Sequence, residues 1–133
     1  MKISTRGRYA IRLMTDIAIN GENNNVSIKD ISDRQRISVK YLEQIVHKLI
    51  KAGYLQSYRG SAGGYRLAKA PEEYTVADIL RITEGGGLAP VACLTGSVNS
   101  CERKNSCSAL WVWEGLYNTI TDYLENITIK DII

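Results

Sequence analysis

The stretch from Ser38 to Gly53 limits the fold more than any other part of this 133-residue chain. Its apolar residues Leu42, Ile45, Val46, Leu49 and Ile50 recur at helical spacing. Ser38 stands where a helix N-cap belongs, and Gly53 stands where a helix stops. The opposite face carries Lys40, Tyr41, Glu43, Gln44, His47, Lys48 and Lys51. Such a helix must bury one side and present the other, a side of long, hydrogen-bonding and mostly cationic groups.

Its neighbours build a pattern around it. Residues 4–20 read as a first helix, with Tyr9, Ala10, Leu13, Met14, Ile17 and Ala18 along one face and Gly21 as its stop. The polar run Glu22 to Asn25 is a loop. Ser27 opens a short helix ending near Gln35, with Asp30 placed as in a capping box. Beyond Gly53, residues 54–58 and 65–68 have strand character. Between them, Arg59-Gly60-Ser61-Ala62-Gly63-Gly64 makes the glycine-rich basic tip of a hairpin. Thr75 and Asp78 open another helix, which runs through Glu84 and breaks at Gly85-Gly86-Gly87. Residues 88–107 are irregular and hold all three cysteines. A long amphipathic helix follows from about Ser108 to Asn126, and Thr128 to Asp131 starts a last short turn.

The predicted fold is mainly α with a small β-hairpin wing. It is a winged helix-turn-helix followed by a long C-terminal dimerisation helix. The expected organisation is a DNA-binding domain over 1–84, a cysteine loop over 85–107, and a dimerisation helix with its tail over 108–133.

Charge divides along the same lines. Residues 1–70 carry 13 Lys/Arg against 5 Asp/Glu, whereas residues 71–133 carry 4 against 9. A basic first half points to a polyanionic partner, and an acidic second half points to a separate task. No run of about 18 apolar residues offers a membrane span. The basic N-terminus lacks the apolar stretch and cleavage site of a secretory signal. Three cysteines is an odd number, which argues for reduced thiols and a cytoplasmic setting rather than a disulfide framework. With one histidine, and no Gly-x-Ser-x-Gly elbow, metal-hydrolase pair or phosphate loop, the sequence does not read as an enzyme.

A polar helix face alone is an ordinary solvated surface, and a glycine-rich hairpin alone says little. Together with the basic first half, in this order, they predict binding to double-stranded DNA. A helix fits the major groove, where Glu43 can accept from a cytosine amino group and Gln44 can pair with adenine. Lys40 and Lys48 can neutralise phosphates, and the helix start at Ser38 can meet one through backbone N–H groups. The wing tip offers Arg59, with Arg66 in the second strand, and an Arg on a flexible glycine loop such as Arg59 can enter a minor groove or sit on a phosphate. The candidate set is Ser38, Lys40, Tyr41, Glu43, Gln44 and Lys48 on the helix, with Arg59 and Ser61 on the wing. His47, the single histidine, is a surface or phosphate-contacting residue on the same helix. A winged helix that binds an acidic protein is the alternative.

Cys93, Cys101 and Cys107 are spaced C-x7-C-x5-C inside the irregular segment. A loop allows three thiolates to converge, and soft thiolates suit iron–sulfur clusters, zinc or Cu(I). The spacing is not that of a zinc ribbon. From spacing alone, a thiol redox switch and plain buried cysteines stay open. The helix that follows carries Leu110, Trp113, Leu116, Tyr117, Ile120, Tyr123, Leu124 and Ile127. This stripe is too long for a small domain to cover, so Trp113, Leu116, Tyr117, Ile120 and Leu124 are expected against the same helix of a second chain, in a homodimer.

Several motifs together resemble one family. These are Met1-Lys2-Ile3-Ser4-Thr5-Arg6-Gly7-Arg8-Tyr9-Ala10, Ser38-x-x-Tyr41-Leu42-Glu43-Gln44, Gly53-Tyr54-Leu55, Arg59-Gly60-x-x-Gly63-Gly64-Tyr65 and Leu124-x-x-Ile127-Thr128-Ile129-x-Asp131. They resemble the Rrf-two family of bacterial transcription regulators across essentially the whole chain, and its iron–sulfur cluster regulators above all. The resemblance implies a dimeric winged helix-turn-helix regulator, base reading by Glu43 and Gln44, and a minor-groove role for Arg59. It also implies an iron–sulfur cluster, of the [2Fe–2S] type, on Cys93, Cys101 and Cys107.

Two departures leave the fourth ligand open. The cluster-regulator branch has a shorter first gap and a histidine three residues after the last cysteine, where this chain has Leu110. A nitric-oxide-sensitive branch uses an acid near the start of helix one, where this chain has Arg8. Glu102, Asp33, Glu84, Ser106, Ser108, an exogenous thiol or water are the remaining choices. A cluster-free regulator of cysteine or sulfur metabolism with a thiol switch is the alternative function.

Overall fold

The structure, a computed structural model, describes residues 2–133, so Met1 of the N-terminal motif lies outside the described residues. Among the described residues, six α-helices and one two-stranded antiparallel hairpin make the expected mainly helical winged arrangement. Helix α1 spans Thr5–Asn20 and is capped by Ser4, whose hydroxyl accepts from the Gly7 N–H at 3.0 Å. Its buried stripe holds Ala10, Leu13, Met14 and Ile17 of the six residues its spacing predicts, with Tyr9 and Ala18 half-buried at its margins.

Helix α2 spans Ile28–Gln35 and α3 spans Val39–Lys51. Ser27 accepts from the Asp30 N–H at 3.1 Å, and this is the only half of the expected box that forms among the described residues. The turn into α3 runs through Arg36, which takes a left-handed conformation with φ 54°. That conformation is strained for a residue with a side chain. Two bonds between Ser32 and Ile37 close the turn around it: Ser32 Oγ donates to the Ile37 carbonyl at 2.6 Å, and the Ile37 N–H returns to Ser32 O. Helix α3 ends as its sequence demands. Gly53 sits at φ 77°, and the Tyr54 and Gly53 N–H groups reach back to Leu49 and Ile50 carbonyls.

Strands β1 (Leu55–Tyr58) and β2 (Gly64–Leu67) pair in the register Leu55↔Leu67 to Tyr58↔Gly64. A 3-10 turn at Pro71–Glu73 leads to α4 (Val76–Thr83), which opens with the full Thr75–Asp78 capping box. Another 3-10 turn, Ala92–Leu94, lies inside the cysteine segment. The sequence pattern announces neither turn, since three residues are too few to show a period. Helix α5 covers Leu110–Glu125, two residues later than its predicted start, and α6 covers Ile129–Ile132.

One core joins α1, α2, α3 and α4 through Leu13, Met14, Ile31, Leu42, Ile45, Leu49 and Ile79, each at 0% exposure. Burying each such side chain is worth about 1.5–3 kcal/mol. Ile129 of α6 is equally buried in that core, so the tail returns to the head. Helix α5 behaves differently: none of its residues is buried. Tyr117 and Leu124, expected in a seam between chains, are half-buried and pack on Val76, Ala77, Leu80 and Leu88 of their own chain. They lie on the side of α5 that faces α4, which helical spacing alone cannot distinguish from the outer side.

Candidate nucleic-acid interface and cysteine loop

The inner face of α3 is locked by Leu42, Ile45, Val46 and Leu49. The outer face is therefore fixed in orientation. Lys40, Glu43, Gln44, His47 and Lys48 are all exposed there and line one shallow depression. Ser38 is exposed, with its hydroxyl accepting from the Tyr41 N–H at 3.2 Å. Tyr41 is half-buried and meets the Tyr9 ring edge-on, with centroids 5.6 Å apart. Arg12 lies over the other partner of that pair, 5.3 Å from the centre of the Tyr9 ring.

Arg59 and Ser61 are exposed at the hairpin tip, where Gly60 has φ 102° and the Gly63 N–H closes the turn on Gly60 O. Arg66 lies in β2, as its place in the sequence predicts. It is half-buried, its Nε donates to Asn25 Oδ1 at 2.7 Å, and its guanidinium stands 5.7 Å from the centre of the Tyr58 ring. It braces the wing rather than extending from it.

The charge that sets the angle of α2 escapes a reading by sequence. Asp16 of α1 has a side chain only 1% exposed, and both its oxygens accept from Arg34 and one from Gln35 of α2. Hydrogen bonding to this carboxylate holds the Arg34 guanidinium above its already high ordinary value. Arg12 adds a second tie, donating to the Gln35 side chain at 3.0 Å and to its backbone carbonyl. The one signal in the sequence is an acid inside an apolar run, since a buried charge needs a partner.

Cys93 and Cys101 are half-buried and Cys107 is exposed, and all three are free thiols. The Cys101 N–H donates to Asn99 Oδ1 at 2.9 Å. The structure does not gather the three thiols: among the described residues, no group of three His, Cys, Asp or Glu side chains stands ready to hold a metal ion. Three soft donors on one irregular segment suit an iron–sulfur group chemically, but the segment must close to bring them together. Of the fourth-ligand choices, Glu84 is already committed, with one carboxylate oxygen accepting from Ser4 N–H at 3.0 Å and Ser4 O–H at 2.8 Å. Ser106 leans on Arg103 O at 3.4 Å, Glu102 and Ser108 are exposed in the loop, and Asp33 is exposed on α2.

On α5, Val112, Leu116 and Tyr123 turn outward on one side, while Trp111, at 73% exposure, stands on another. Arg81 of α4 pairs with Asp78 and with Glu125 of α5, and hydrogen bonding to Glu125 raises the Arg81 value further. No helix among the described residues is long and apolar enough to cross a membrane.

Known proteins share this arrangement over nearly the whole chain. Residues 3–133 match the Rrf2 family, described as iron-dependent transcriptional regulators. The transcriptional regulator IscR of Vibrio vulnificus is 38% identical over 138 residues, which cover all of this chain and 77% of that protein. Protein rrf2 of Nitratidesulfovibrio vulgaris is 40% identical over 133 residues, covering all of this chain and 87% of that one. The structure of CymR, the global cysteine regulator of B. subtilis, superposes with a TM-score of 0.80 at 32% identity, over 99% of this chain and 95% of that one. With a locked helix offering a polar face beside a basic wing, and relatives of this kind along its full length, the chain belongs to the Rrf2 family of winged-helix, DNA-binding transcriptional regulators and is not an enzyme.

Proposed function

We propose that this protein is a homodimeric regulator working on DNA in the cytoplasm, and that Cys93, Cys101 and Cys107 report iron–sulfur or redox status to it. The observation that carries the reading is the outer face of α3, where Lys40, Glu43, Gln44 and Lys48 are exposed while the inner face is anchored. In a major groove, Glu43 and Gln44 reach base edges, and Lys40, Lys48, Ser38 and Tyr41 hold the phosphates. Arg59 and Ser61 of the wing lie on the adjacent minor groove or backbone. The outward side of α5, with Val112, Leu116 and Tyr123, is the surface for the second chain. Two α3 helices then meet half-sites about one helical turn, or a multiple of it, apart.

The thiols of Cys93, Cys101 and Cys107 would hold a [2Fe–2S] cluster, with the fourth ligand open. When bound, such a group supplies iron–thiolate bonds sensitive to oxidation and iron supply. The chain's own part is transmission. The cysteine segment joins α4 through Gly85–Gly87, and Glu84, the last residue before those glycines, caps the N-terminus of α1 through Ser4. Movement of the segment therefore bears directly on the first helix of the head. Only a difference in free energy between the two placements of the head shifts DNA binding.

A thiol switch in a regulator of cysteine or sulfur metabolism is the second reading, favoured by the ungathered thiols and the likeness to a cysteine regulator. Anaerobic reconstitution with iron and sulfide separates the two: a brown protein with bound iron that Cys101→Ala lacks supports the cluster, and no bound iron supports the switch. For the DNA face, Gln44→Ala is expected to lose preference for a selected sequence, whereas Lys48→Ala weakens all duplexes and lowers the salt slope by about one. Equal loss of preference from both variants would overturn these roles.

A further inference from the structure

The wing is not a free hairpin. The Val26 N–H and carbonyl pair with Tyr65 at 3.0 and 2.8 Å, so the α1–α2 loop forms a short third edge beside β2. The contact is close: a Cβ on Gly64 would stand 2.5 Å from Val26 O. One residue before Val26, the half-buried Asn25 ties two parts of the hairpin together. Its Nδ2 donates to the carbonyl of Ala62 in the tip at 2.8 Å, and its Oδ1 accepts from Arg66 Nε at 2.7 Å. These partners fix which end of the amide is which, since a flip would set oxygen against carbonyl oxygen and N–H against guanidinium N–H. Arg66 is held from two further sides, by Asn23 O at 3.4 Å and by the Tyr58 ring.

The tip needs such a tie. It holds Gly60, Gly63 and Gly64, two of them at positive φ, and each glycine brings conformational freedom that must be lost for Arg59 to keep one place. Within the tip, one backbone bond closes the turn, from Gly63 N–H to Gly60 O at 3.0 Å. The Asn25–Ala62 bond reaches the tip from the α1–α2 loop, which is itself anchored at the base of the hairpin through Val26 and Tyr65.

We propose that Asn25 is a positioning residue for DNA recognition: by holding Ala62 it sets the wing tip, and through the tip Arg59, at one place relative to α3. The inference rests on the role given above to Arg59 in DNA binding. Ordering the tip in advance removes a cost that binding would otherwise carry.

The test uses the full-length protein and a duplex that it selects from a random-sequence pool. Asn25→Ala, Arg59→Ala and the double variant are compared by affinity, thermal midpoint and amide hydrogen exchange. Asn25→Ala is expected to weaken binding about tenfold while the thermal midpoint falls by only a few degrees. The double variant is expected to bind no more weakly than Arg59→Ala alone, because Asn25 acts through that residue. In the free protein, the amides of residues 60–63 are expected to exchange faster. Asn25→Asp, which keeps an acceptor for Arg66 and has no N–H for Ala62, is expected to show the same faster exchange. A weakened Arg59→Ala beside an unaffected Asn25→Ala, fully additive losses, or unchanged exchange in both Asn25 variants would overturn the proposal while leaving the wing reading intact. An Arg59→Ala variant that binds like the parent would remove the wing reading itself.

Discussion

Helices α1 and α5 each have 16 residues, yet α1 buries six of them and α5 buries none. Apolar content does not explain the difference, because α5 carries Leu110, Trp111, Val112, Trp113, Leu116, Tyr117, Ile120, Tyr123 and Leu124. What differs is the company. Helix α1 is met by α2, α3, α4, α6 and β2, whereas α5 rests mainly on α4. Polar groups follow the same division. The buried carboxylate of Asp16 in α1 is fully partnered, but the buried Thr121 hydroxyl of α5 has no partner among the described residues. A helix of the first kind is completed by its own chain. A helix of the second kind keeps apolar surface that its own chain does not cover.

Three measurements would break or sharpen that contrast. The largest effect is expected from Leu116→Asp on the outward side of α5. It should convert the proposed dimer to a monomer by light scattering and, by removing the second head, weaken operator binding about a hundredfold or more. A variant that stays dimeric would show that the seam lies elsewhere. Next is Leu13→Ala in α1, where the side chain has 0% exposure. It should lower the unfolding free energy by about 2–5 kcal/mol in urea while leaving the native dimer mass unchanged. If it dissociates the dimer instead, α1 is not self-sufficient and the contrast fails.

The smallest effect concerns α6. The Thr128 N–H and hydroxyl both donate to Asp131, which holds that acid below the ordinary aspartate value. A lowered carboxylate contributes stability above its unfolded-state value and loses it as pH falls through the folded-state value. Asp131→Asn should therefore flatten the acid side of a melting-point profile run from about pH 6 to about pH 2.5. An unchanged profile would mean that this cap adds nothing at the tail.

Elements defined by neighbouring residues were legible in the sequence. Ser38, Gly53, and the Thr75–Asp78 pair act within one turn of their own helix, so their chemistry is visible in a short window. The polar side of α3 was legible for the same reason. What stayed hidden depends on residues far apart in the chain. Arg66 reads as a wing cation until Asn25 and Tyr58 take hold of it. Asn25 reads as one more polar loop residue until Ala62 comes within 2.8 Å. Tyr117 and Leu124 read as one apolar stripe with Leu116, and only the fold shows that α4 packs against them. Arg36 is a local exception: the Ser32 and Ile37 bonds that close its left-handed turn are near in sequence, but an arginine carries no glycine-like signal for that conformation. The cysteine spacing showed which donors share a segment, but spacing cannot say how that segment closes.

The return of the tail into the head has a mechanical consequence. Val76 N–H bonds to Ile127 O and Thr75 bridges Thr128, so α5 is pinned just beyond its C-terminal end. Cys107 lies just before its other end. At 1.5 Å per residue the helix is a rod of about 24 Å. A tilt of about 10° around the pinned end carries the cysteine end through about 4 Å. With its fulcrum at the head and its handle at the thiols, α5 has the proportions of a lever, and a small displacement at the handle becomes torque on the head.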